Sequence, residues 1–94
     1  MFYIVLRRNL RPRTDWPAEL LKAHLAWADR EYQAKSLIMS GPADHKSGGI
    51  YLIKAGDLTE ARTIAERDPI IGGGYCTYDI HDWDIQRGVG LLPS

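Results

Sequence analysis

The chain has a single cysteine, Cys76, among its 94 residues, so no disulfide can close within it. A reducing, cytoplasmic setting is the matching expectation. It has no excess of either charge, since twelve basic residues balance twelve acidic ones. A basic face for nucleic acid or for a membrane surface is therefore not expected. It has no apolar run near the ~20 residues of a membrane span. The opening MFYIVLRRNL places its arginines after a short apolar run, the reverse of a secretory signal. No repeat or low-complexity stretch occurs. The three histidines show neither His-x-His nor His-x-x-x-His spacing, so no metal site is expected. Gly72-Gly73-Gly74 precedes a predicted strand rather than opening a helix after one, which does not match a dinucleotide or phosphate loop. It reads as a turn needing positive φ.

What remains is an ordinary globular composition, 45% hydrophobic. The length predicts one domain over residues 1–94, with a tail over 85–94. Residues 2–6, FYIVL, read as a first strand. Residues 7–13 are basic, contain Pro12, and read as a loop. Residues 14–17, TDWP, read as a helix start, and the helix continues to about residue 35. Residues 36–40 form a second strand stopped by Gly41-Pro42. Residues 43–49 form a polar turn, and residues 50–54 a third strand. A capping-box-like start at Asp57 and Glu60 opens a second helix. Asp68-Pro69 ends it, because the residue before proline leaves the α region. A fourth strand runs from residue 75 to about 85, and the apolar tail residues Val89, Leu91 and Leu92 are expected to dock.

The order β-α-β-β-α-β predicts a ferredoxin-like α+β fold, a four-stranded antiparallel sheet with two helices on one face. The other face should then be polar. Alternation instead puts Phe2, Ile4 and Leu6 on one side and Tyr3 and Val5 on the other. In the third strand Ile50 and Leu52 oppose Tyr51 and Ile53. Both faces are apolar, which predicts a homodimer with its sheets face to face. The tail folding back over the open face is the alternative cover.

The residues that could carry chemistry are few. On a helical wheel Ala18, Leu21, Leu25, Ala28 and Tyr32 form the apolar stripe, with His24 at its edge, roughly 80° from the centre. There an imidazole can exchange protons near neutral pH, or simply bond a backbone carbonyl. Asp68 closes the second helix, where a carboxylate is mildly unfavourable. It can orient an imidazole, as in catalytic triads, or sit half in solvent offset by Arg67. His81 shares a strand face with Tyr75, Thr77, Asp79 and Trp83, and His45 lies in the polar turn. Cys76 reads as a small buried hydrophobe with no activating neighbour in sequence.

Read in order, these pieces resemble the YCII-related (YciI-like) family of the dimeric α+β barrel superfamily. The likeness rests on the FYIVL strand, Ala23-His24-Leu25-Ala26 on the first helix, and Leu37-Ile38-Met39-Ser40-Gly41-Pro42. It continues through Asp68-Pro69-Ile70, Gly74-Tyr75 and the closing Ile80-His81-Asp82-Trp83. The family includes a lactone dehydrochlorinase, and the superfamily includes muconolactone isomerases and cofactor-free oxygenases. The resemblance implies a small dimeric protein with a histidine–aspartate active site, which falls here on His24 and Asp68. The 41–49 hairpin turn is shorter than many members carry.

The expectation is therefore a cofactor-free enzyme of proton-transfer type, an isomerase or lyase acting on a small molecule. His24 and Asp68 would be catalytic, with Arg7, Trp27, Tyr75 and His81 contacting substrate. Arg7, Arg8, Arg11 and Arg13 could attract a carboxylate, although a solvated basic loop explains them too. A non-enzymatic small-ligand binder or pathway accessory subunit is the competing class. A cofactor-free oxygenase with Trp16, Trp27, Trp83 and the tyrosines around an aromatic cavity is a third, although core packing explains those residues as well.

Overall fold

The computed structural model describes residues 1–88 and residue 90. The tail residues Val89, Leu91 and Leu92 lie outside them. Four strands, β1 (Phe2–Asn9), β2 (Leu37–Ala43), β3 (Gly48–Lys54) and β4 (Cys76–Asp82), form one sheet in the order β2-β3-β1-β4. All three pairings are antiparallel. Helices α1 (Ala18–Gln33), α2 (Leu58–Glu66) and the single turn α3 (Pro69–Gly72) accompany it. The fold is ferredoxin-like α+β, as the element order predicts. Among the described residues no helix is long and apolar enough to cross a membrane.

Strand periodicity explains the core. Tyr3 and Val5 of β1, Tyr51 and Ile53 of β3, and Cys76 of β4 are all buried beneath the helices. They pack with Trp27, Ala61, Ile64, Ala65 and Ile70. The alternate positions form the open face, where Leu6, Met39 and Ile50 remain exposed.

Several predicted boundaries move, each for a local reason. β1 continues to Asn9, because Arg7 and Arg8 pair with Gly49 and Gly48 on one side and Tyr78 and Thr77 on the other. Arg7 is thus a strand residue with an inward side chain, not part of a solvated loop. β2 runs through Gly41-Pro42 to Ala43. It is an edge strand with its one ladder on β3, where a proline lacking N–H costs least. The first helix begins at Ala18 after a short 3-10 turn at Arg13–Asp15, and no side chain caps it.

The wheel for α1 requires a larger correction. Its buried residues are Leu20, Trp27 and Glu31, while Leu25 and Tyr32 are more than half exposed. The core face is turned roughly 100° from the predicted stripe. Two polar residues, His24 and Glu31, stand on or beside it because each meets a partner from the α2–α3 segment. Arg67 Nη1 donates to Glu31 Oε1 at 2.9 Å.

The segment after α2 also differs from expectation. α2 closes at Glu66 with Arg67 as its cap, and Asp68 is the N-cap of α3. Its backbone is extended, as a residue before proline must be, and Pro69 fills the first helical position. Ile70 N–H donates to the Asp68 carboxylate at 3.0 Å. The carboxylate therefore caps the start of a helix, a favourable place. Of the three glycines that follow, only Gly74 needs positive φ, at 79°.

Candidate functional site

α1 delivers His24 and the α2–α3 junction delivers Asp68 to the same point. His24 Nδ1 lies 2.8 Å from Asp68 Oδ1. Asp68 is fully buried, and the His24 side chain is 13% exposed. The carboxylate has two further donors. Ile70 N–H reaches Oδ1, and the Tyr51 hydroxyl reaches Oδ2 at 2.5 Å. Burial, followed by the charge of Asp68 and opposed by Arg7, pushes the Tyr51 phenol well above its ordinary 10.0. Tyr51 thus keeps its proton and donates. An acceptor with backbone and phenol donors already in place holds Nδ1 as the protonated nitrogen. In the neutral imidazole Nε2 then carries the lone pair, and no hydrogen bond engages Nε2 among the described residues.

The imidazole plane is fixed as well. His24 stacks on Trp27 at 5.8 Å and on Tyr51 at 6.1 Å between centroids. Trp27 is anchored in turn, its Nε1 donating to the Ile64 carbonyl at 3.1 Å. A ring held by one hydrogen bond and two aromatic neighbours has little freedom to turn.

His24 opens into a cavity of about 210 Å³, lined also by Arg7, Arg13, Trp16, Tyr51 and Ile70. The apolar stripe of α1 finds its use here, because Leu21, Leu25 and Ala28 form one wall. Arg7 is 8% exposed. Its Cζ sits 5.8 Å from the Tyr51 ring centroid and 5.9 Å from that of Trp16. Its Nε and Nη1 and the Trp16 Nε1 are buried without a hydrogen-bond partner among the described residues. Larger hollows of about 640 and 740 Å³ lie beside the 45–47 turn and on the open sheet face. Among the described residues neither is lined by a hydrogen-bonded acid–base pair, which makes the small cavity the candidate site.

The predicted site residues separate into groups. His24, Asp68 and Arg7 come together. Trp27 is buried behind the imidazole and supports it rather than lining the cavity. Tyr75 is half-buried and packs edge-on against Trp16 at 6.4 Å, one layer back. His81 is exposed on β4, opposite Ile4 and on the other face of the sheet. Cys76 is buried, and burial pushes its thiol up to about 11. Tyr51 is the residue that sequence reasoning missed. Its signal was the alternation that placed it beside Ile53 on the helix-facing side, where a phenol needs a partner. Among the described residues no three His, Cys, Asp or Glu side chains gather as a metal site.

Comparison with known proteins gives this geometry a context. The uncharacterised protein YjpA of Bacillus subtilis (strain 168) is 33% identical over 69 residues, which cover 73% of this chain and 81% of that protein. A solved structure of similar fold is 5-chloro-2-hydroxyhydroquinone dehydrochlorinase (TftG) from Burkholderia phenoliruptrix AC1100, in complex with 2,5-dihydroxybenzoquinone. It superimposes with a TM-score of 0.65 at 20% identity, covering 89% of this chain and 94% of that one. Its fold is that of the dimeric α+β barrels. The YCII-related domain matches residues 1–84, and the chain belongs to that family.

Proposed function

We propose that this protein is a small-molecule enzyme of proton-transfer type, with His24 as the acid–base group and Asp68 and Tyr51 as its positioning residues. The observation that carries the reading is the buried Asp68 carboxylate, held by three donors, one of which is His24 Nδ1. In this reading Nε2 takes a proton from carbon beside a carbonyl. The electron pair moves to the carbonyl oxygen, and the Asp68 carboxylate stabilises the imidazolium. Return of the proton to another carbon gives isomerisation, and expulsion of a leaving group gives elimination. The pair supplies the proton transfer itself, so the step draws on no cofactor. The dehydrochlorinase activity of TftG supports elimination from a small ring. The apolar open face supports assembly as a homodimer.

The test is exchange in deuterium oxide. Cyclic carbonyl and hydroxyquinone compounds are incubated with the protein, and carbon-bound deuterium is followed by NMR. The expected result is enzyme-dependent exchange or product that falls ~10²–10⁴-fold in His24→Ala. Ligand-dependent thermal stabilisation without exchange or product would favour a non-enzymatic binder instead. Full turnover in His24→Ala would remove the proposed role.

A further inference from the structure

Arg7 is placed where an arginine is hard to keep. Strand alternation turns it inward after Tyr3 and Val5, and it is 8% exposed. The ion pairs among the described residues join His24 to Asp68 and Arg67 to Glu31, and neither involves Arg7. Two aromatic rings flank the guanidinium within about 6 Å, the range of cation–π attraction. They soften its desolvation but accept none of its hydrogen bonds. Opposite it in the register is Gly49, and a Cβ there would come within 2.5 Å of Arg7 Nη2. The sheet thus leaves room for the guanidinium at a core-facing position. A buried cation without a carboxylate is a poor stabilising device, so its use is sought in the cavity it lines.

Three features of that cavity agree on its occupant. Among the described residues its lining contains Arg7 and Arg13 and no carboxylate side chain. Its unpartnered buried donors, on Arg7 and Trp16, call for an acceptor. Its volume of about 210 Å³ is small, yet an apolar cavity of about 150 Å³ is enough for benzene. We infer that Arg7 forms an anion subsite of the cavity, and that the ligand is a planar monoanion built on one six-membered ring, its charged oxygen directed to Arg7. This deepens the proton-transfer reading and rests on it for regarding the ligand as a substrate. An oxyanion conjugated to the ring is also the form that developing charge takes when His24 removes a proton beside a carbonyl. Arg7 would then stabilise the transition state as well as bind the ground state.

The test measures binding apart from turnover. Calorimetric titrations use two matched pairs at pH 8, benzoate against benzamide and 4-nitrophenolate against nitrobenzene. At least one anion is expected to bind tenfold or more tightly than its neutral counterpart, and which one does so separates a carboxylate from a ring oxyanion. Arg7→Met should lose that preference while its melting temperature in the absence of ligand stays level or rises. Arg7→Lys should keep a reduced preference, and it decides the matter if the methionine variant does not fold. His24→Gln should keep the preference while losing exchange activity, so the subsite and the acid–base role can fail separately. Equal binding within both pairs overturns the subsite. So does a preference that survives Arg7→Met or disappears in His24→Gln.

Discussion

At the scale of single residues, Asp68 governs the site because it is buried and still fully provided with donors. A buried carboxylate is tolerated only when its oxygens are satisfied. Among the described residues Tyr51 supplies the one side-chain donor to Oδ2. Tyr51→Phe leaves that oxygen unpaired in the interior and should cost about 1–3 kcal/mol. Urea unfolding of the variant against the parent chain measures it, and an unchanged midpoint would mean that Oδ2 finds another donor. Alkaline pH probes the same neighbourhood. Burial, opposed by Arg7, raises the Cys76 thiol from its ordinary 9.0 to about 11, and burial also raises Tyr51 above 10.0. Both groups hold their protons more tightly folded than unfolded. Their stabilising effect is complete below the unfolded values and is lost as pH rises through the folded ones. Melting temperature should therefore hold level near neutrality and fall from about pH 9 upward. In Cys76→Ala the early part of that fall, between pH 9 and 11, should flatten.

At the scale of elements, what could be read from the sequence depended on whether a polar residue found a partner far along the chain. Strand order, sheet type and the two apolar faces were legible, because alternation is a local signal. His24 and Asp68 were legible as a pair through resemblance, since no spacing rule joins residues 44 apart. The core face of α1 was not legible. His24 read only as an edge residue of the apolar stripe, Glu31 carried no signal for burial, and only the approach of Asp68 and Arg67 makes their burial affordable. The boundary at Asp68 failed for a related reason. The helix-stop signal before Pro69 was right, but the same proline also begins α3, which turned an apparent C-terminal acid into an N-cap. The Arg67–Glu31 pair that docks α2 on α1 gives a test at this scale. Glu31 is 4% exposed and Arg67 is 54% exposed. Removing the arginine strands a buried charge, whereas neutralising the glutamate releases Arg67 to water. Arg67→Ala should cost about 1–3 kcal/mol, and Glu31→Gln clearly less. Paired denaturation curves check the order, and the reverse order would mean that the pair does not carry the docking.

At the scale of the whole molecule, the sheet has two apolar faces and the helices cover one. Leu6, Met39 and Ile50 are 39%, 53% and 44% exposed on the other. Ile50 lies on β3, flanked in register by Leu6 on β1 and Gly41 on β2, so it is inside the sheet rather than at its rim. Contiguous apolar residues in that position suit an interaction surface, and the proposed homodimer would set the same chemistry of a second copy against it. The cavity with His24 and Arg7 lies on the helix side, across the sheet. Disrupting the open face should therefore separate assembly from site chemistry. Ile50→Lys would put an ammonium at the centre of the proposed face-to-face contact, and should weaken self-association at least a hundredfold, about 2.7 kcal/mol. Light scattering at matched concentrations should give two chains for the parent and one for the variant. The variant should retain the anion preference attributed to Arg7. A parent protein that scatters as one chain would assign the open face to some other cover, and loss of the anion preference together with the dimer would show that the cavity needs the second copy to keep its shape.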